Sequence, residues 1–129
     1  MNAVRTIARP MLGVIFIVSG VDVLRNPGSR AEMARPVVER VASLVPIAPA
    51  DPETAVTLIA MVHLGAGGML TVGVLPRLAA LALAASMVPT TLAGHRFWEI
   101  QEQPKRSQQR TQFLKNTAIL GGLLIAALD

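Results

Sequence analysis

The stretch Ala55–Leu75, AVTLIAMVHLGAGGMLTVGVL, runs for 21 residues without a single Asp, Glu, Lys or Arg. As a helix rising about 1.5 Å per residue, it is long enough to cross a hydrocarbon core of about 30 Å. A helix at the surface of a soluble bundle needs a polar face, and this run has none. The chain is therefore predicted to span a lipid bilayer, with a soluble four-helix bundle as the alternative. The start of the span is also marked: Asp51 is suited to cap it, Pro52 to its first helical position and Glu53 to its first turn.

Three further apolar runs accompany it. Leu78–Gly94 carries no charged side chain, and Pro89 is expected to kink it, with Ser86 or a neighbouring helix placed to satisfy the freed carbonyl. Pro10–Val21 and Asn116–Leu128 are shorter. Each reaches membrane length only if Arg9 or Lys115 snorkels and the helix continues into its polar flank. The first run, with no A-x-A-like cleavage site after it, reads as an anchor that stays. The expected fold is all-α: an integral membrane four-helix bundle in one domain, 1–129, with spans at about 8–24, 55–75, 78–95 and 112–128.

Small residues at helical intervals suit close packing of such a bundle. Ala118, Gly122 and Ala126 form a small-xxx-small ridge on the last span, and Gly65, Gly67, Gly68 and Gly73 thin one side of the second.

Composition agrees with a membrane class. Hydrophobic residues make up 52% of the chain and charged residues only 16%. The pI is near 11.1, yet the net charge is only +4, and the charges gather between apolar runs with no basic stripe of interleaved aromatics. No nucleic-acid partner is expected. The chain has no Cys, which excludes disulfides, zinc thiolate sites, iron–sulfur clusters and any dithiol relay of its own. Two His separated by 32 positions form no metal or haem site recognisable from spacing.

Asn26–Pro49, between the first two spans, has a different pattern. Met33, Val37, Val38, Val41, Leu44 and Val45 recur at helical spacing, with Arg30, Glu32, Arg35, Glu39 and Arg40 between them. This is predicted to be an amphipathic segment in the membrane interface, broken or begun at Pro36; a solvated helix against the end of the bundle is the alternative.

The basic residues divide unevenly. With four spans, the termini and the middle turn share one side, which holds Arg5, Arg9 and Arg77. The other side holds nine: Arg25, Arg30, Arg35, Arg40, Arg96, Lys105, Arg106, Arg110 and Lys115. The positive-inside rule places both large loops in the cytoplasm and both termini outside.

The most chemically loaded stretch, AGHRFWEIQEQPKRSQQRTQFLKN, lies between the last two spans and contains the only Trp. Trp98, Arg96 and Phe113 suit an interfacial belt at headgroup depth. A second reading makes this a mouth in which His95, Glu99, Lys115 and Asn116 hold a small polar head group such as a quinone ring. Asp22 ends the first span on the same side and is placed to pair with Arg25 or Arg96. His63 lies inside the uncharged second span, where an ionisable group suggests a proton relay or a hydrogen-bond donor to quinone. A neutral ring bonded to a neighbouring helix is the alternative.

Three stretches together, ARPMLGVIFIVSGVDVLRNPG, HLGAGGMLTVGVLPRLAALALAASMVPTTLAGHRFWE and QFLKNTAILGGLLIAA, resemble the DoxX family of membrane proteins, in particular its actinobacterial members. The resemblance runs from about Arg9 to Ala127, and its most specific part is H-x-F-W followed by F-L-K-N-x-A-x-x-G-G-L-L. It implies four transmembrane helices and a link to respiration or oxidative stress. The founding member is named as a small subunit of a terminal quinol oxidase, and mycobacterial relatives are described as anchors of a redox complex. Many members bear the description oxidoreductase without demonstrated chemistry. Many relatives carry an acidic residue near the start of the glycine-rich helix, where this chain has His63, so a role of that carboxylate is not carried over.

The sequence thus leads to a small integral membrane accessory subunit or anchor of a redox complex, docking a protein partner through its basic loops, with self-association as a homo-oligomer a further option. The alternative is a membrane oxidoreductase or carrier that binds a quinone-like molecule between its helices. No self-sufficient catalytic constellation and no resident cofactor is evident.

Overall fold

The computed structural model describes residues 3–95 and 97–129. Five α-helices follow one another: α1 (Ala3–Arg25), α2 (Pro27–Leu44), α3 (Pro52–Val72), α4 (Pro76–Gly94) and α5 (Lys105–Leu128), with one 3-10 turn at Phe97–Glu99. No strand occurs among the described residues. By length and composition α1, α3, α4 and α5 can each cross a bilayer, so the chain is an all-α bundle of four membrane-spanning helices with α2 as an extra element.

The two weak runs reach spanning length by growing into their polar flanks. Helix α1 takes in Arg5 and Arg9 and continues through Pro10, while α5 begins at Lys105, well before the apolar run. The strong second span shifts instead. Asp51 caps α3, its carboxylate accepting from the Thr54 N–H at 3.1 Å and hydroxyl at 2.7 Å, and Pro52 opens the helix. Gly73, at φ 81°, closes α3 in the left-handed conformation that glycine adopts without a steric penalty.

Antiparallel α1 and α3 form the closest helix pair. The buried residues Gly13, Phe16, Gly20 and Val23 of α1 face Ala60, His63, Gly67 and Leu70 of α3, both sets at the 3-4-3 spacing of a helix–helix seam. A methyl group at Gly13 would stand 2.6 Å from the Gly67 carbonyl oxygen and would also strike Thr71; one at Gly20 would stand 2.8 Å from the Ala60 oxygen. Of the four glycines expected to thin α3, only Gly67 meets α1, whereas Gly65 and Gly68 face open space and Gly73 serves the cap. The ridge on α5 is likewise only partly used. Gly122 lies against Leu12 and Ala126 packs on the core, but Ala118 is exposed.

Helix α4 supplies much of the core. Its Ala79, Ala80, Leu83, Ala84 and Met87 pack with Phe16, Ala66, Leu70 and Leu123; with so many alanines the helices approach closely, as small residues allow in membranes. Outside, Val4, Ile7, Met11, Val14 and Val18 of α1, Leu58 and Met61 of α3, Leu81 and Val88 of α4 and Leu124 and Ile125 of α5 are exposed. An apolar exterior of this extent suits contact with lipid rather than water.

Hydrogen bonds and topology define the two ends. Arg5 Nε lies 2.6 Å from Asp129 Oδ2, joining the first and last helices at one end. The end of α1, all of α2, the start of α3, the end of α4 and the start of α5 lie at the other. Helix α2 is continuous through Pro36 rather than broken there, and packs on α3 and α4. It turns the small Ala31 and Ala34 inward, while Leu44 at 70% and Ile47 at 94% exposure lie at and just beyond its C-terminal end. Along its outer side Arg35 bridges Glu32 at 2.8 Å and Glu39 at 3.8 Å. The bond to Arg35 holds the Glu32 carboxyl below the usual carboxylate range, and in return raises the Arg35 guanidinium.

Candidate functional site

One cavity of about 440 Å³ opens at the α2 end of the bundle, within the ~300–1,000 Å³ of small-molecule sites. All five helices contribute to its wall: Ser19 and Val23 from α1, Met33, Val37 and Val38 from α2, Val56, Ile59 and His63 from α3, Pro89 and Thr90 from α4, and Gln109, Gln112 and Lys115 from α5. Arg30 and His95 belong to the same lining, with the small residues Ala34, Ala55, Ala60, Ala93 and Gly94 between them. The periodicity that makes α2 amphipathic thus puts its valines over the cavity, because its small residues let it seat on α3 and α4.

His63 is the innermost polar group. It lies eleven residues beyond Pro52, about 16 Å along the helix at 1.5 Å per residue, and is only 3% exposed. Its Nε2 stands 2.9 Å from Ser86 Oγ, and the Ser86 hydroxyl donates to the Leu83 carbonyl at 2.8 Å. A hydroxyl has one proton. With that proton directed at Leu83, Nε2–H of His63 is the donor to Ser86, and in the neutral ring Nδ1 keeps the lone pair. Phe16 packs edge-on to the imidazole, ring centres 5.1 Å apart. Ser86 therefore serves His63 and Leu83, which leaves a neighbouring helix, the other expected partner, for the carbonyl freed by Pro89. One residue along, Thr90 Oγ1 donates to the Ser86 carbonyl at 2.8 Å.

His95 stands nearer the mouth, at the end of α4. Its Nδ1 lies 2.7 Å from Gln109 Oε1; since an amide oxygen only accepts, Nδ1 carries the proton and Nε2 the lone pair in the neutral ring. Lys115 Nζ donates to Gln112 Oε1 at 2.5 Å. Three of the sequence candidates, His63, His95 and Lys115, thus line a single space although 52 positions separate the first from the last.

The others lie elsewhere. Asn116 is buried, and its amide donates to Thr91 Oγ1 at 3.1 Å, tying α5 to α4 beside the cavity wall. Glu99 is on the 3-10 turn, exposed and outside the lining. Trp98 and Phe113 belong to an aromatic group with Phe97, each pair T-shaped at 5.4–5.6 Å between ring centres. Trp98 remains half exposed, as a ring at headgroup depth would be. Arg96, expected as an interfacial anchor, lies outside the described residues, and so does its pairing with Asp22. No ion pair joins Asp22 to Arg25; the described ion pairs are those of Arg5 and Arg35.

The sequence reading missed Arg30, Gln109 and Gln112. The available signal was the spacing of Gln109, Gln112 and Lys115 at threes along one face of α5. For Arg30 there was none, because it was one of several alternating charges on α2. Among the described residues, no group of three or more His, Cys, Asp or Glu is arranged to hold a metal ion.

No match was found among curated proteins or among solved structures. The model of the DoxX family matches residues 4–96, from α1 to the end of α4, and leaves Phe113–Asn116, part of the most specific stretch of the resemblance, outside the matched region. Over more than half of its length, and with the apolar helices that such a membrane protein needs, this chain belongs to the DoxX family.

Proposed function

We propose that this protein binds an amphiphilic small molecule between its helices as part of a membrane redox system, the head of the molecule at Arg30, His95 and Lys115 and its apolar part directed toward His63. The single observation behind this reading is the cavity, which runs from a polar mouth to a histidine at mid-helix depth through walls of valine and isoleucine. Few, well-placed polar groups above an apolar chamber are what a ligand with one polar end requires. A quinone-like ring belongs to this class. Its carbonyls would accept from Lys115, and a quinol hydroxyl would donate to the imidazole lone pair of His95. Oxidoreductase chemistry by this chain would rest on that ring, with the quinone as ligand rather than resident cofactor.

The test is equilibrium binding to the purified full-length protein in nanodiscs, with decylubiquinone and single-chain lipids as probes. Saturable binding that weakens when Val37 and Ile59 are replaced by Trp to fill the cavity is the expected result. Absence of saturable binding by every probe would overturn the reading.

A second role, as an anchor for a soluble redox partner, has its support in the outward charges of α2, where Arg35, Glu32, Glu39 and Arg40 are all exposed. We place that face, and the loop before α5, in the cytoplasm on the nine-to-three division of basic residues. Cross-linking in native membranes that yields a stoichiometric partner through α2 supports this role; recovery of the chain alone or only as a homo-oligomer counts against it.

A further inference from the structure

The lining of the cavity contains two permanent cations, Arg30 and Lys115, and no carboxylate. Neither cation forms an ion pair among the described residues; Lys115 has only the neutral Gln112 amide as its partner. Of the acidic groups at the same end, Glu32 and Glu39 face Arg35 along the outer side of α2 and the Asp51 carboxylate caps α3, while Asp22, Glu53, Glu99 and Glu102 lie outside the lining. From two different helices, α2 and α5, the two cations thus give the mouth a positive field that no residue of the lining offsets. Beneath them the wall is Val23, Val37, Val38, Val56 and Ile59.

We infer that the head group bound here carries negative charge: the ligand is a single-chain amphiphile with a carboxylate or phosphate head, held by Arg30 and Lys115, its chain in the valine-lined chamber. This rests on reading the cavity as an amphiphile site and narrows it. A neutral head would need only one or two donors, which Lys115 and Gln112 already provide. Arg30 is suited to a forked pair of hydrogen bonds with an oxyanion, and charge-assisted bonds of this kind are about twice as strong as neutral ones. A cavity of about 440 Å³ fits one acyl chain better than the two of a bilayer phospholipid.

The full-length protein in phosphatidylcholine nanodiscs is titrated with palmitate, hexadecyl phosphate, hexadecanol, acetate and inorganic phosphate. Palmitate or hexadecyl phosphate is expected to bind saturably and about tenfold or more tightly than hexadecanol, the stronger of the two identifying the head. Acetate and inorganic phosphate, lacking a chain, should bind far more weakly. The double variant R30Q/K115Q is expected to lose the preference for the anion, binding palmitate no more tightly than hexadecanol, and R30K/K115R to retain the preference. Both side chains are exposed, so their replacement leaves the packed core untouched. Equal binding of palmitate and hexadecanol, or an unchanged preference in R30Q/K115Q, would overturn the anionic assignment and leave the cavity reading standing. Binding of the chainless anions as tight as that of palmitate would overturn the amphiphile assignment. Failure of all chain-bearing probes would remove the cavity reading itself.

Discussion

His63 of α3 and Ser86 of α4 are joined by a hydrogen bond of 2.9 Å in the buried middle of the bundle, and the Ser86 hydroxyl donates its own hydrogen bond to the Leu83 carbonyl. One imidazole is thereby fixed in tautomer and orientation by a side chain 23 positions away. The cavity ends on that ring, so the bond sets the geometry of the deepest polar group available to a ligand.

Ser86→Ala is expected to leave the His63 Nε2–H without its acceptor. Interhelical hydrogen bonds in membranes contribute about 0.6 kcal/mol on average and up to ~1.7 kcal/mol, and a loss in that range should appear in unfolding of the micellar protein. His63→Leu combined with Ser86→Ala should cost less than the sum of the single changes. Strict additivity in the double-mutant cycle would show that the two residues do not interact.

Substitution at the glycines should sort by geometry rather than by helix. Gly13→Ala pushes a methyl group into the Gly67 carbonyl and Thr71, forcing α1 and α3 apart at a cost of about 1–3 kcal/mol. Gly65→Ala and Gly68→Ala meet nothing within 4 Å and should be neutral or stabilising by up to ~1 kcal/mol through helix propensity. Thermal unfolding of the three variants under one condition decides it; a stable Gly13→Ala would mean that the α1–α3 seam is wrong.

The start of α3 should respond to acid. Hydrogen bonds from the Thr54 hydroxyl and backbone hold the Asp51 carboxyl below its usual range. A depressed pKa stabilises the folded state fully above the unfolded value of about 4 and loses that stabilisation as pH falls through the lower folded value. Asp51→Asn keeps a capping side chain without the charge, so its stability should vary less with pH below about 4 than that of the parent. Asp51→Ala should be less stable than Asp51→Asn at neutral pH. Parallel melting curves for parent and Asp51→Asn across that acid range would contradict the assignment.

The membrane orientation is open to a simple reporter. With both termini outside, a reporter active only in the cytoplasm should be silent when fused after Asp129 and active when inserted at Gln101–Gln103, before α5. Strong activity at the C-terminus would reverse the orientation and put α2 on the outer face.

Much of the bundle could be read in the residues. An uncharged run such as Ala55–Leu75 leaves a chain no choice in water, since no face of it can be solvated, and the Asp51–Pro52 start of α3 is local chemistry between neighbours. The extent of α1 and α5 was legible only conditionally: whether Arg9 or Lys115 lies within a helix depends on what the ends pack against. The four glycines of the second span looked equivalent because composition carries no direction. Only the placement of α1 against one face separates Gly67, which touches it, from Gly65 and Gly68, which do not.

The sequence by itself determined the class of solvent, the number of spanning segments and the end at which charge collects, because those follow from the free energy of placing each segment in lipid or water. Only the tertiary structure decided which polar residues share a space. His63, His95, Arg30 and Lys115 sit on four different segments, and no periodicity within a helix relates them. Their meeting depends on the close approach of α1 to α3 at Gly13, Gly20 and Gly67, and on α2 seating across α3 and α4 through alanines 31 and 34. These are packing decisions between distant parts of the chain, made by shape, and shape appears only once the helices are in contact.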